Sequence, residues 1–390
     1  MKKFLSILLA ILMLAVMLPV TAMAEENYVM ISGITGVENE KYASFEAAYN
    51  AIKLKLEALC KSDALGQGGT TAEEFDALFY NRDENGNATL TYTICGNITY
   101  DESNLANLLT FGRRASHYGN DRHLINFKFV GATGRDSDTL TVNSDITLPY
   151  EWWGEKTTTS ISFENLTITG PAPNGLYPTQ AYFDGINFKV NNCKLEGIKI
   201  YNCSNVGGSY TITNNIFDGT NAPQNAYAIH LQGNETAPLT INISNNTISG
   251  YDRGINIDQK TAAATISNNN ISVKDTGRSC IQLTRLASTK VENNTMNLTG
   301  GNAITLHKEL LNCAKPEITV SGNTINGTGY LIYDDATANN KSFTNDNLTL
   351  TITQDNTVAK AVNTTQGVKG STKYGMSEIV KTKVENNVVP

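Results

Sequence analysis

The residues able to do chemistry gather in six short segments: "GIKIYN", "AIHLQG", "GINIDQ", "CIQLTR", "AITLHK" and "LIYDDA", between Gly197 and Ala336. If their apolar residues point inward, the alternate positions fall on one outer face in two columns. One column reads Lys199, His230, Asn256, Gln282, Thr305 and Tyr333; the other reads Tyr201, Gln232, Asp258, Thr284, His307 and Asp335. Arg253, Arg278, Arg285, Lys260 and Lys308 border them. Amides, hydroxyls and imidazoles between terminal tyrosines suit an extended, hydroxyl-rich ligand such as a glycan. The ligand-binding candidates are therefore Lys199, Tyr201, His230, Gln232, Asn256, Asp258, Gln282, Thr284, Thr305 and His307. The competing reading is a solvated sheet face, which must be polar whether or not it binds anything.

Acid–base chemistry has weaker candidates: Asp258, Lys260, Arg253, Arg285 and Asp335. A polysaccharide lyase would use acidic calcium ligands with a Lys or Arg base, and Asp258 with Lys260 or Asp335 with Lys308 could fill those roles. However, Asp258 and Asp335 stand three segments apart, about 14 Å at strand spacing. An inverting hydrolase holds its two carboxylates about 6.5–9.5 Å apart. Asp334 is expected on the inward side, which is costly unless the strand ends there. No cofactor is implied, and calcium only if the chain is a lyase. The four histidines have no metal-ligand spacing, and His117 and His123 sit in the charged stretch "GRRASHYGNDRH". Tyr150 with Trp152 and Trp153 could stack on a sugar or pack a loop onto the first coils.

What must position these columns is a repeat. An apolar-x-Asn-Asn-x-apolar block recurs as "ITNNIF", "ISNNTI", "ISNNNI", "VENNTM" and "VENNVV", with looser copies "FENLTI", "VNNCKL", "VSGNTI" and "TQDNTV". Its fourth position falls at Leu166, Cys193, Asn215, Asn246, Asn269, Asn294, Asn323, Asn356 and Asn387, at intervals of 22 to 33 residues. Such a period with strand-like alternation means a solenoid. Asn suits the turn because its amide tolerates left-handed backbone and bonds nearby backbone groups. Stacked coil on coil, the Asn side chains are expected to form a ladder about 4.8 Å apart.

The ends read differently. Lys2 and Lys3, an apolar run from Phe4 to Val20 and "AMA" ending at Ala24 have the form of a secretory signal peptide. Secretion to the exterior or the cell surface is expected, with no membrane insertion. Ser44–Lys61 reads as an amphipathic helix with Ser44 as N-cap, and "TTAEEFDALFY" as a short second one. The formal charge of −7, more negative once Lys2 and Lys3 are removed, argues against a nucleic-acid partner. The six cysteines allow up to three disulfides, but buried thiols serve a chain of this size at least as well.

The coils "ISNNTISGYDRGINID" and "VENNTMNLTGGNAITLH" resemble the right-handed parallel β-helix repeat of the pectin-lyase-like superfamily. "YASFEAAYNAI" resembles the capping helix of exported β-helix surface proteins of Gram-positive bacteria. The resemblance implies an all-β right-handed parallel β-helix solenoid with an N-terminal α-helical cap. The chain is expected to divide into a signal peptide (1–24), a cap of helices and first strands (25–110) and the β-helix (111–390), with an incomplete last coil from about 366. Activity is not implied, because the superfamily holds lyases, glycosidases, esterases, adhesins and tailspikes. Of the polygalacturonase motifs only the "DD" at Asp334-Asp335 is present, and the pectate-lyase "RxPxxR" is missing. The expectation is a monomeric, non-catalytic, adhesin-like binder of polysaccharide or cell-surface glycan. A lyase or glycoside hydrolase, or a structural stalk, are the alternatives.

Overall fold

The computed structural model describes residues 27–59, 77–83, 86–101, 125–143, 146–147, 160–171, 176–177, 186–204, 208–233, 238–274, 278–338, 341–363 and 377–387. The leader, Cys60, the "GRRASHYGNDRH" histidines, the tryptophan pair and most of the second expected helix lie outside these residues.

Period-2 sequence becomes a parallel β-helix. Along one wall, Ala88–Cys95, Ile125–Gly131, Ser160–Glu164, Ile186–Asn191 and Gly208–Thr213 stack in parallel, each on the next. Leu239–Ser244, Ala262–Ser267, Ser288–Glu292, Glu317–Ser321 and Thr349–Ile352 continue the stack. Tyr28–Ser32 and Lys41–Tyr42 add an antiparallel edge at the N-terminal end. The stack thus begins at Ala88, with the first strands assigned to the cap. A second sheet of seventeen strands bends around the remaining walls, and its later strands carry the outward columns.

Inward positions form one continuous apolar core. At its N-terminal end this core is aromatic: the Phe45 ring lies 4.9 Å from Tyr92, Tyr92 5.3 Å from Phe129, and Phe129 4.9 Å from Phe163. Phe45 opens helix α1 (Phe45–Leu59), whose Phe45, Ala48, Tyr49 and Ile52 are buried at the expected helical spacing. Ser44 caps it, its Oγ accepting from the Ala47 amide at 3.1 Å. The helix covers core that a bare end of the solenoid would expose to water.

The two asparagines of each turn have separate tasks. The first is left-handed: Asn165, Asn192, Asn214, Asn245, Asn268 and Asn293 have φ between 54° and 60°, and Gly322 replaces it at 62°. The second is buried and forms the expected ladder. Nδ2 of Asn215, Asn246, Asn269, Asn294 and Asn323 each donates to Oδ1 of the next rung at 2.9–3.0 Å. Each also donates to a backbone carbonyl of the preceding coil, such as Asn269 to Ile243 at 2.9 Å. Every amide therefore meets partners in the dry interior, which removes the desolvation cost of burying it. Leu166 and Cys193 hold the same position in earlier coils as fully buried apolar groups.

The C-terminal end departs from the repeat. "VENNVV" is no ninth coil: Glu378–Asn387 is helix α2, with Val380 and Val384 buried. One apolar helical face can cover a coil end where a strand would leave a free edge.

Cys95, Cys193, Cys280 and Cys313 are free thiols. Burial pushes Cys193 and Cys280 up to about 12, so both are inert core groups.

Candidate functional site

The strand that carries the outward columns contains a bend that alternation does not anticipate. In Tyr227–Gly233, Ala228 and Ile229 are both buried, and Cys280 with Ile281, Ala303 with Ile304 and Leu331 with Ile332 repeat the pattern. Two consecutive inward residues break the period, so the residue before them returns to the outer side. At Gly254 there is no room for more: a Cβ would lie 2.1 Å from the Cys280 carbonyl. The result is a third column of Tyr227, Arg253, Ser279, Asn302 and Tyr330, in which Tyr227 pairs with Arg253, Ser279 with Asn302 and Asn302 with Tyr330.

The expected columns shift in two places. Tyr201, not Lys199, pairs with His230, and the column continues through Asn256, Gln282, Thr305 and Tyr333. Lys199 stands one outward step earlier, its Nζ 5.6 Å from the Tyr201 ring centre. In the other column, Gln232 pairs with Asp258, but a bulge then puts Arg285, not Thr284, beside Asp258. The two form an ion pair. Thr284 turns under the surface and donates to Asn256 Oδ1 at 2.8 Å.

The strip is consequently not flat. Asn256, Ser279, Thr284, Asn302 and Thr305 are buried as a hydrogen-bonded floor. Gln282 Nε2 donates to Thr284 Oγ1 at 2.9 Å, and Ser279 and Thr305 hydroxyls lie 2.5 Å apart. Tyr227 crosses the neighbouring coil, its hydroxyl donating to Gln282 Oε1 at 3.1 Å and accepting from Arg253 at 3.0 Å. Over this floor lies a groove of about 390 Å³. Tyr227, Tyr330 and Tyr333 supply its aromatic surface, Arg253 and Arg278 its cations, and His307 and Asp335 its far end. The groove takes in Gln282, Thr305, His307, Arg253 and Asp335 of the sequence candidates. It does not take in Lys199, Tyr201, His230, Gln232, Asn256, Asp258, Thr284, Lys260 or Arg285. His230 lies alongside, its ring 4.9 Å from Tyr227 and 5.1 Å from Tyr201; burial lowers its pKa to about 4.

Asp258 and Arg285 pair with each other outside the groove, which takes in Arg253 and Asp335 instead. His307 is held from both sides: Nδ1 accepts from the Glu309 amide at 3.3 Å, and Nε2 lies 3.4 Å from Asp335 Oδ2. Asp334 is inward, as expected, opposite Leu306. The strand ends there, and its carboxylate accepts from the Ala336 and Ser377 amides at 3.0 and 2.8 Å. Among the described residues no cluster of three or more His, Cys, Asp or Glu could hold a metal ion.

With this geometry in hand, comparison with protein families is decisive for the fold: residues 174–387 match the family described as right handed beta helix region. The chain belongs to that family. Comparison with curated proteins and with solved structures returned no match. The family match ends at Asn387, the last residue of the terminal helix, where "VENN" has the repeat's residues without its strand.

The third column was within reach of the sequence. "YAIH", "RGIN", "SCIQ", "NAIT" and "YLIY" align position for position, and the small or apolar second residue marks the bend. Starting each segment one residue later hid Tyr227, Ser279, Asn302 and Tyr330.

Proposed function

We propose that this β-helix is a secreted, non-catalytic recognition protein that binds a short stretch of glycan in the tyrosine-walled groove. The observation that carries the reading is the groove's construction. A floor of buried amides and hydroxyls is satisfied within itself, so it is rigid before any ligand arrives. Three tyrosines and two arginines rise from it, offering apolar faces for sugar rings and donors for their oxygens. Preorganised walls lower the ordering cost of binding. The volume falls within the range of about 300–1,000 Å³ usual for small-ligand sites, which favours a few sugar units over a chain spanning all the coils.

A lytic or hydrolytic role is less well supported. Asp258 is paired with Arg285, and His307 Nδ1 accepts from the Glu309 amide while its Nε2 faces Asp335. The leader with Lys2, Lys3 and "AMA" supports export, where glycans are the abundant polymers. The test incubates the full chain without its leader (25–390) with neutral, amino and uronate polysaccharides, with and without calcium. Retention of protein without new reducing or unsaturated ends is expected. New ends would replace the binding reading with an enzyme.

A further inference from the structure

We propose that the groove selects a glycan unit carrying both a negative group and a protonated amine, held at opposite ends. This rests on the glycan-binding reading and adds the ligand's charge pattern.

The argument is the placement of charge on the three outward columns. Arg253 and Arg278 belong to neighbouring coils and stand on one wall of the groove. Each is anchored: Arg253 donates to the Tyr227 hydroxyl at 3.0 Å and Arg278 to Asn225 Oδ1 at 3.2 Å. Anchored guanidiniums present fixed donors to an anionic group. Among the described residues the one carboxylate lining the groove is Asp335, three coils from Arg253 and two from Arg278, or about 10–14 Å along the solenoid axis with a further offset along the strands. It is fixed too, within reach of His307 Nε2 at 3.4 Å and of the Lys308 amide at 3.4 Å. Between these ends the lining is neutral: Gln282, Thr305, Asn302 and the tyrosines.

A ligand with only a negative group would leave Asp335 facing it unfavourably. A ligand with only an amine would face two arginines. A ligand with both would satisfy each end, and the separation suits groups on sugars two or more units apart along an alternating chain. Discrimination arises from the mismatch as much as from the match.

The test measures binding of four oligosaccharides of equal length by titration calorimetry. They are an alternating glucosamine–glucuronate chain, its N-acetylated form, a glucosamine oligomer and a glucose oligomer. The first should bind about tenfold or more tighter than any other, the factor expected when one charge-assisted contact is gained. Asp335→Asn should erase the preference for the free amine over its acetylated form, and Arg278→Gln the preference for the acid. Equal binding of the free and acetylated chains would overturn the bipolar assignment while leaving glycan binding intact. Binding of none would overturn both. The comparison among probes uses the unaltered protein, so it stands even if a variant fails to fold.

Discussion

At the scale of single residues, the paired asparagines show how one repeated dipeptide does two jobs, and substitution should separate them. Asn269→Ala removes the acceptor for the Asn246 amide and side chain, and the donor to Asn294 and to the Ile243 carbonyl. Buried groups left unpaired cost about 1–3 kcal/mol each, so a loss on the order of 3–5 kcal/mol is expected from urea unfolding. Asn268, at φ 56°, should behave otherwise: Asn268→Gly close to neutral, Asn268→Ala destabilising by roughly 1–2 kcal/mol. His230 carries the clearest pH dependence. Burial depresses its folded-state pKa to about 4, below the roughly 6.5 of the unfolded chain. The folded state therefore binds fewer protons, and the stability it holds above pH 6.5 falls as pH drops toward 4. Between pH 7.5 and 5 this amounts to about 2 kcal/mol, and His230→Gln should flatten that part of the denaturation profile. The Asn pattern was legible in the sequence because both tasks demand the same residue type. The register of Lys199 and the descent of Thr284 were not, since a bulge leaves no mark in alternating residues.

At the scale of elements, regular coils were legible and their interruptions were not. Inward apolar residues at every second position specify a wall. The bend at Ala228-Ile229 appears only when the segments are compared one residue further back. It turns a polar face into a groove by bringing Tyr227 and Arg253 to the outer side. Helix α2 was hidden for a different reason: "EIVKTKVENNVV" carries a repeat-like block, while its buried residues, Val380 and Val384, are four apart rather than two. It is tied to the last coils through the Ser377 amide, which donates to Asp334, and the Ser377 hydroxyl, which accepts from the Phe343 amide at 2.9 Å. Deleting residues 364–390 should expose the final coil and leave Asp334 short of a donor. A lower melting temperature with concentration-dependent self-association is expected by light scattering; an unchanged monomer of unchanged stability would deny the helix its capping role.

At the scale of the whole molecule, a solenoid separates stability from recognition. Each coil rests on its neighbours through the core and the Asn ladder, so outward residues are free to vary without threatening the fold. Three outward columns bend into one groove, and the glycan-recognition account depends on that groove more than on the full length of the face. The most direct measurement compares the unaltered protein with Tyr333→Ala and Tyr330→Ala for affinity toward whichever glycan is best retained, with Thr240→Ala, exposed on the other sheet, as the reference variant. The account predicts a loss of about tenfold or more for each tyrosine, in keeping with a buried aromatic contact, and little change for the reference. Undiminished affinity in both tyrosine variants would contradict it and move recognition to another face of the β-helix.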